Sequence, residues 1–114
     1  MVLPGLSSAE QASLTRLEQL PEFAGRTFSE SPSVGQDWVD NFGNTYDQMG
    51  DPAASSYWAS QEQNFLNQIP AHLAKADYLV LDLNGFTESQ TSKISQYVNG
   101  LPAAEQARII RLGF

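Results

Sequence analysis

The chain contains no cysteine, a single histidine (His72) and only six lysines and arginines. Without cysteine there is no disulfide scaffold, no thiol nucleophile and no Cys-based zinc or iron–sulfur site, and the composition fits a reducing compartment. One histidine excludes a multi-histidine metal site. The shortage of cations argues against a protein that holds a polyanion by charge alone. No apolar run approaches the roughly 18 residues of a membrane span. The start, Met-Val-Leu-Pro-Gly-Leu-Ser-Ser, has no basic segment and no long apolar core, so it is not expected to be a signal peptide. Phosphate-loop, dinucleotide-binding, serine-hydrolase and metalloprotease motifs are all missing. The carboxylates are scattered along the chain, so neither a metal nor a cofactor is expected.

What is present fits one domain. The chain has 114 residues, within the roughly 100–200 of a single domain, and should bury on the order of 65% of its unfolded surface. Its 13 acidic residues give a net charge of −7, and the excess is confined to the first half. Residues 1–62 hold Arg16 and Arg26 against nine carboxylates. Residues 63–114 balance Lys75, Lys93, Arg108 and Arg111 against Asp77, Asp82, Glu88 and Glu105. A site for a polyanion is therefore expected in the second half, and a face for a basic partner in the first.

Residues 8–20 read as an amphipathic helix, with Ser8 as N-cap, Gln11 at capping-box spacing, Leu14 and Leu17 on one face and Pro21 as the stop. Gly25-Arg26-Thr27-Phe28 and Gly43-Asn44-Thr45-Tyr46 echo each other, each a turn residue followed by β-prone types. Trp38-Val39, then Asn41-Phe42-Gly43-Asn44, then Thr45-Tyr46 spell a β-hairpin. Residues 51–57, opened by Asp51-Pro52, read as a loop. Trp58, Phe65, Leu66, Ile69 and Leu73 recur at helical spacing, and Pro70 is expected to kink or split that helix near Gln68–Ile69.

Tyr78-Leu79-Val80-Leu81-Asp82-Leu83 is a strand of the kind buried on both faces. Thr87 and Gln90 form a second capping box, and the helix they open ends at Asn99-Gly100. A short helical turn over Leu101–Gln106 leads to a strand over Arg108–Leu112. Strand, helix and strand make a right-handed βαβ unit. The expected fold is a small α+β domain: an N-terminal helix and β-hairpin region followed by a C-terminal βαβ unit in a mixed sheet.

Ligands favour the carboxyl ends of parallel strands, which here brings in Asp82, Asn84, Gly85 and Thr87, unless Asp82 and Thr87 merely cap the helix. His72 is the one side chain whose ordinary pKa lies near neutrality, and Lys75 shares its helical face. Proton transfer by His72 beside a phosphate-binding Lys75 suits RNA cleavage; a helix-terminal His beside a solvated Lys is the plainer alternative. Arg108 and Arg111 point to opposite faces of the last strand. Tyr46-Asp47 offers a phenol and a carboxylate. Trp38, Tyr46, Tyr57 and Trp58 either stack on bases or fill the core.

One resemblance adds to this. Gly43-Asn44-Thr45-Tyr46-Asp47-Gln48-Met49-Gly50-Asp51-Pro52, Tyr57-Trp58, His72-Leu73-x-Lys75, Val80-Leu81-Asp82-Leu83-Asn84-Gly85-Phe86-Thr87 and Arg108-Ile109-Ile110-Arg111-Leu112-Gly113-Phe114 together resemble the C-terminal toxin modules of bacterial polymorphic toxins, of the contact-dependent growth-inhibition and Rhs types. The likeness spans residues 37–114, with residues 1–36 as a helical and β lead-in within a single domain. It implies a ribonuclease acting on transfer RNA, carried at the C-terminus of a larger secreted or cell-surface protein and acting in the cytoplasm of a target cell, monomeric as a domain and neutralised by a cognate immunity protein. The expected roles are His72 as general acid or base, Tyr46 positioning or donating, Asp82 orienting a partner, Lys75 and Arg111 holding phosphate, and Thr87 at the substrate, without metal. The alternatives are a non-catalytic acidic interaction module and an ADP-ribosyltransferase, the latter suggested by Leu20-Pro21-Glu22-Phe23-x-Gly25-Arg26-Thr27-Phe28.

Overall fold

A computed structural model describes residues 6–31, 36–51 and 56–114. The chain start and most of the loop expected after Asp51 lie outside the described residues. The order is α1 (Ser8–Glu18), a 3₁₀ turn (Pro21–Phe23), β1 (Phe28–Glu30), β2 (Trp38–Asp40), β3 (Thr45–Met49), α2 (Trp58–Leu73), β4 (Tyr78–Asp82), α3 (Glu88–Asn99), α4 (Ala103–Gln106) and β5 (Ile109–Leu112). The strands form one sheet in sequence order, β1-β2-β3-β4-β5. β1, β2 and β3 pair antiparallel, whereas β3, β4 and β5 are parallel. This is the expected α+β domain with a mixed sheet. It contains a second parallel crossover, β3-α2-β4, beside the β4-α3-β5 unit read from the sequence.

Strand alternation divides the core. Phe28, Trp38, Tyr46, Val80 and Leu112 face α1, packing on Leu14, Leu17 and Phe23. Met49, Leu79, Leu81 and Ile109 face the two crossover helices, packing on Trp58, Phe65, Ile69, Leu73, Ile94 and Val98. Both crossovers step the same way along the sheet, and α2 and α3 cover the same face. The Gly-x-Thr-aromatic echo marks two strand starts, each after a glycine of positive φ (Gly25 +84°, Gly43 +87°). Their aromatics, Phe28 and Tyr46, meet edge to face at 5.3 Å between ring centroids.

Two local expectations shift. The cap of α1 is Ser7, one residue earlier than expected: the Ser7 Oγ accepts from the Glu10 amide at 3.2 Å, and the Glu10 carboxylate accepts from the Ser7 amide at 2.7 Å. Ser8-x-x-Gln11 has the same spacing, but a carboxylate in the first turn also meets the positive end of the helix dipole. The helix expected to kink or split at Pro70 is not split: it is continuous to Leu73. Pro70 lies in the last turn, where it forfeits one backbone donor, and the buried Ile69 and Leu73 hold the segment against the sheet. The carbonyls at this end are capped by Arg108, whose guanidinium donates to Leu73 O, to Ala76 O at 2.7 Å and to Asp77 O at 3.0 Å.

Candidate functional site

The acidic residues near the sheet do not behave alike. Asp40 and Asp82 face α1 and are surrounded by donors. Asp40 accepts from the Phe42 and Asn44 amides, the Asn44 side chain, the Tyr46 hydroxyl at 2.7 Å and Arg26 at 3.0 Å. Asp82 accepts from Ser13 at 2.7 Å, Arg16 at 2.5 Å and the Asn84 amide and side chain. Burial pushes both carboxyls up. The donated hydrogen bonds outweigh it, from Tyr46 and Asn44 in one case and from Asn84, Ser13 and Arg16 in the other, and hold both below the usual range.

Asp37 and Asp47 have different company. Asp37 immediately precedes β2, and the β2–β3 register places it across from Asp47. Glu10, from the first turn of α1, reaches the same group. Burial raises the Asp37 carboxyl, and hydrogen bonding to Glu10 and then to Asp47 raises it further. The Gln48 amide, at 2.6 Å, opposes only in part, and the result is pushed up to about 8. Asp37 thus holds a proton at neutral pH. Asp47 is buried and bonded to the His72 Nδ1. With Nδ1 engaged by this carboxylate, the Nε2 of His72 is the ring nitrogen left clear of that bond. Glu10, Asp37, Asp47 and His72 therefore form a connected array, contributed by α1, the start of β2, β3 and α2.

The array bridges two depressions. Glu10 and Asp37 line a small cavity of about 220 Å³ with Glu30, Ser31 and Gln36. His72 closes one end of a cleft of about 550 Å³ that runs along α2, lined by Met49, Gly50, Asp51, Tyr57, Gln61, Asn64, Phe65 and Gln68. Lys75 is exposed and belongs to the same edge, because the Gln36 side chain donates to its carbonyl at 2.7 Å. Among the described residues, no group of three or more His, Cys, Asp and Glu side chains is disposed to hold a metal ion. No described helix is long and apolar enough to cross a membrane.

Of the residues singled out from the sequence, His72 and Lys75 come together, with Asp47 as the His partner. Tyr46 does not join them. It neighbours Asp47 on the strand and so faces the other side, fully buried. Its hydroxyl donates to Asp40 and accepts from Arg26 at 2.8 Å, and burial and Asp40 push its ionisation upward. Asp82 is on that same α1 side. It does not cap α3; that is done by Thr87, in a capping box with Gln90. Arg111 is on the far edge strand, bonded to Asn99 at 3.0 Å and Gln106 at 3.3 Å and stacked on Phe114. Asp82 instead anchors a separate pocket of about 280 Å³ with Ser8, Ala9, Ala12, Arg16, Gly50 and Asn84. Sequence reasoning passed over Glu10 and Asp37. The usable signal was the hairpin register, which pairs residue 37 with residue 47.

Comparison with known proteins adds a separate line. The family model described as the CdiA C-terminal tRNase domain matches residues 8–112. Among solved structures, the chain is similar to the CdiA-CT toxin from Burkholderia pseudomallei E479, solved in complex with its cognate CdiI immunity protein. The two share 25% identity and a TM-score of 0.76, over 93% of this chain and 99% of that one. No curated protein matches the chain. The family match takes in α1 and β1, which lie before the stretch from residue 37 that the sequence motifs covered.

Proposed function

Because the chain belongs to the family of CdiA C-terminal tRNase domains, we propose that it is an RNA-cleaving toxin domain whose chemistry is carried by the Glu10–Asp37–Asp47–His72 array. The single observation behind this reading is the pairing of a carboxyl group that keeps its proton at neutral pH with a histidine oriented by a buried carboxylate. These are the acid and the base that phosphodiester transfer needs. His72 Nε2 takes the proton of a ribose 2′-hydroxyl as that oxygen attacks the adjacent phosphorus. Asp37 gives its proton to the departing 5′-oxygen. The products are a 2′,3′-cyclic phosphate and a 5′-hydroxyl, and no metal takes part. Lys75, at the same edge, meets the phosphate charge. Transfer RNA is the substrate that the family name supports. Carriage at the end of a larger secreted or surface protein, action in a target cell's cytoplasm and neutralisation by a cognate immunity protein complete the proposal. The acidic first half offers a basic inhibitor a complementary face.

The test is incubation of the purified domain with total RNA in EDTA, followed by gel analysis and end-group mapping. Transfer RNA fragments ending in a cyclic phosphate are expected, with DNA left intact. Intact transfer RNA at high protein concentration overturns the reading. So does cleavage that stops in EDTA and returns with magnesium, which would move the chemistry from His72 to a cation held by the carboxylates.

A further inference from the structure

The cleft along α2 has a lining that the acid–base chemistry does not use. Tyr57, Gln61, Asn64, Gln68 and His72 recur at intervals of three and four residues, which puts them in one stripe along the helix. From Gln61 to His72 the stripe runs about 16 Å at the rise of an α-helix. Tyr57, at its far end, is 65% exposed, which is unusual for so large an apolar ring. Between Tyr57 and His72 the stripe presents only carboxamides, and the Asn64 amide donates to the Gln61 oxygen at 3.3 Å. The neighbouring carboxylate Glu62 is turned away and paired with Lys93 at 2.9 Å. Met49 and Phe65 make an apolar floor.

Phosphate recognition calls for cations; this stretch of α2 has none, and Asp51 adds a carboxylate to the cleft lining, which disfavours phosphate further. Neutral carboxamides that both donate and accept, an exposed phenol ring and an apolar floor suit the edges and faces of unpaired nucleobases. Resting on the RNA-cleavage reading, we infer that this cleft is a base-reading subsite for the unpaired nucleotides flanking the scissile phosphate. A base stacks on Tyr57, and Gln61 and Gln68 hydrogen-bond base edges as the strand passes toward His72. The subsite, rather than any charge contact, then sets which single-stranded position is cut.

The experiment uses the intact domain and needs no cleavage. Amide chemical shifts are followed by NMR during titration with 2′-O-methyl tetranucleotides of the four base compositions, and with an abasic tetramer of equal charge. Perturbations confined to Tyr57–His72 are expected, with affinities that differ at least tenfold between the best and worst composition. The abasic tetramer should bind at least tenfold more weakly than the best, and Tyr57→Ala with Gln68→Ala should remove the difference. Equal affinity of the abasic tetramer, perturbations elsewhere on the surface, or no binding each overturns the subsite. Failure of the catalytic reading looks different: base-dependent shifts along α2 persist while total RNA stays intact. If RNA is cleaved but the double variant cuts the same positions at the same rate, the subsite fails and the catalytic reading stands.

Discussion

Asp40 and Asp82, on the α1 side of the sheet, contrast with Asp37 and Asp47, which belong to the array that ends at His72. Each of the first pair collects four or five donated hydrogen bonds, including one from an arginine, and burial fails to raise either carboxyl. Asp37 gets one backbone amide and two carboxylate neighbours, and it is raised to about 8. The compensated pair does structural work: Asp40 closes the β2–β3 turn, and Asp82 ties β4 to α1 through Ser13 and Arg16. Around Asp82 the backbone leaves no slack. A Cβ on Gly50, at φ +111°, would lie 2.0 Å from the Asp82 carbonyl oxygen, and one on Gly113 would lie 2.7 Å from the Asn84 nitrogen. The uncompensated group borders open cavities, where such an arrangement costs stability and supplies titratable protons. Burial alone does not tell a structural carboxylate from a chemical one. The signs of its neighbours do.

The sharpest way to break this contrast is to exchange losses between the two sides. His72→Ala is expected to lower RNA cleavage by about 10²- to 10⁴-fold with a smaller loss of stability than Asp82→Ala, since only the Asp47 carboxylate loses a partner, as measured by initial rates and thermal denaturation. Asp82→Ala should do the reverse. It strands the Ser13 hydroxyl and the Asn84 donors and leaves Arg16 without its partner, at a cost of about 3 kcal/mol, while the surviving folded fraction keeps its specific activity. Activity retained in His72→Ala, or lost in folded Asp82→Ala, would erase the distinction. A smaller effect is expected from Tyr46→Phe. The ring stays in its aromatic cluster and Asp40 keeps its other donors, so the cost is about 1–2 kcal/mol with cleavage unaltered. A drop in rate without loss of stability would return Tyr46 to the site.

Much of the scaffold was legible because its signals are local. The Tyr78–Leu83 run, the Thr87–Gln90 capping box and the Asn-Phe-Gly-Asn turn each depend on a few consecutive residues. The α1 cap slipped by one because Ser7-x-x-Glu10 and Ser8-x-x-Gln11 overlap, and spacing alone does not choose between them. Pro70 does not split α2 because its effect depends on how much helix follows it, and here only three residues do. The array was half legible. His72 and Lys75 stand three residues apart, His72 in the last turn of α2 and Lys75 just beyond its end, but Glu10 and Asp37 reach Asp47 only through the tertiary fold. Tyr46 and Asp82 were grouped with His72 although strand alternation already argues otherwise: Tyr46 and Asp47 are adjacent, so only one of them can face α2.

The finest test of the contrast is the pH dependence of stability. A carboxyl raised in the folded state binds its proton more tightly there than in the unfolded chain, so folding is favoured where only the folded form is protonated. That advantage is greatest below the unfolded value near 4 and is lost as pH rises through about 8. The lowered carboxyls Asp40 and Asp82 behave oppositely, contributing above the unfolded value and losing that contribution as pH falls. Between pH 5 and 8 the slope from these carboxylates therefore belongs to Asp37. Asp37→Asn keeps the shape of the side chain without the ionisation, and contributions common to both proteins drop out of the difference. The variant should gain on the wild type steadily from pH 5 to 8 and hold a constant lead above that, as measured by urea denaturation at each pH. The same substitution should slow cleavage and remove the fall in rate that the wild type shows as pH rises through about 8. A stability difference that is flat across this range would mean that Asp37 is ionised throughout, and the two pairs of carboxylates would then be alike.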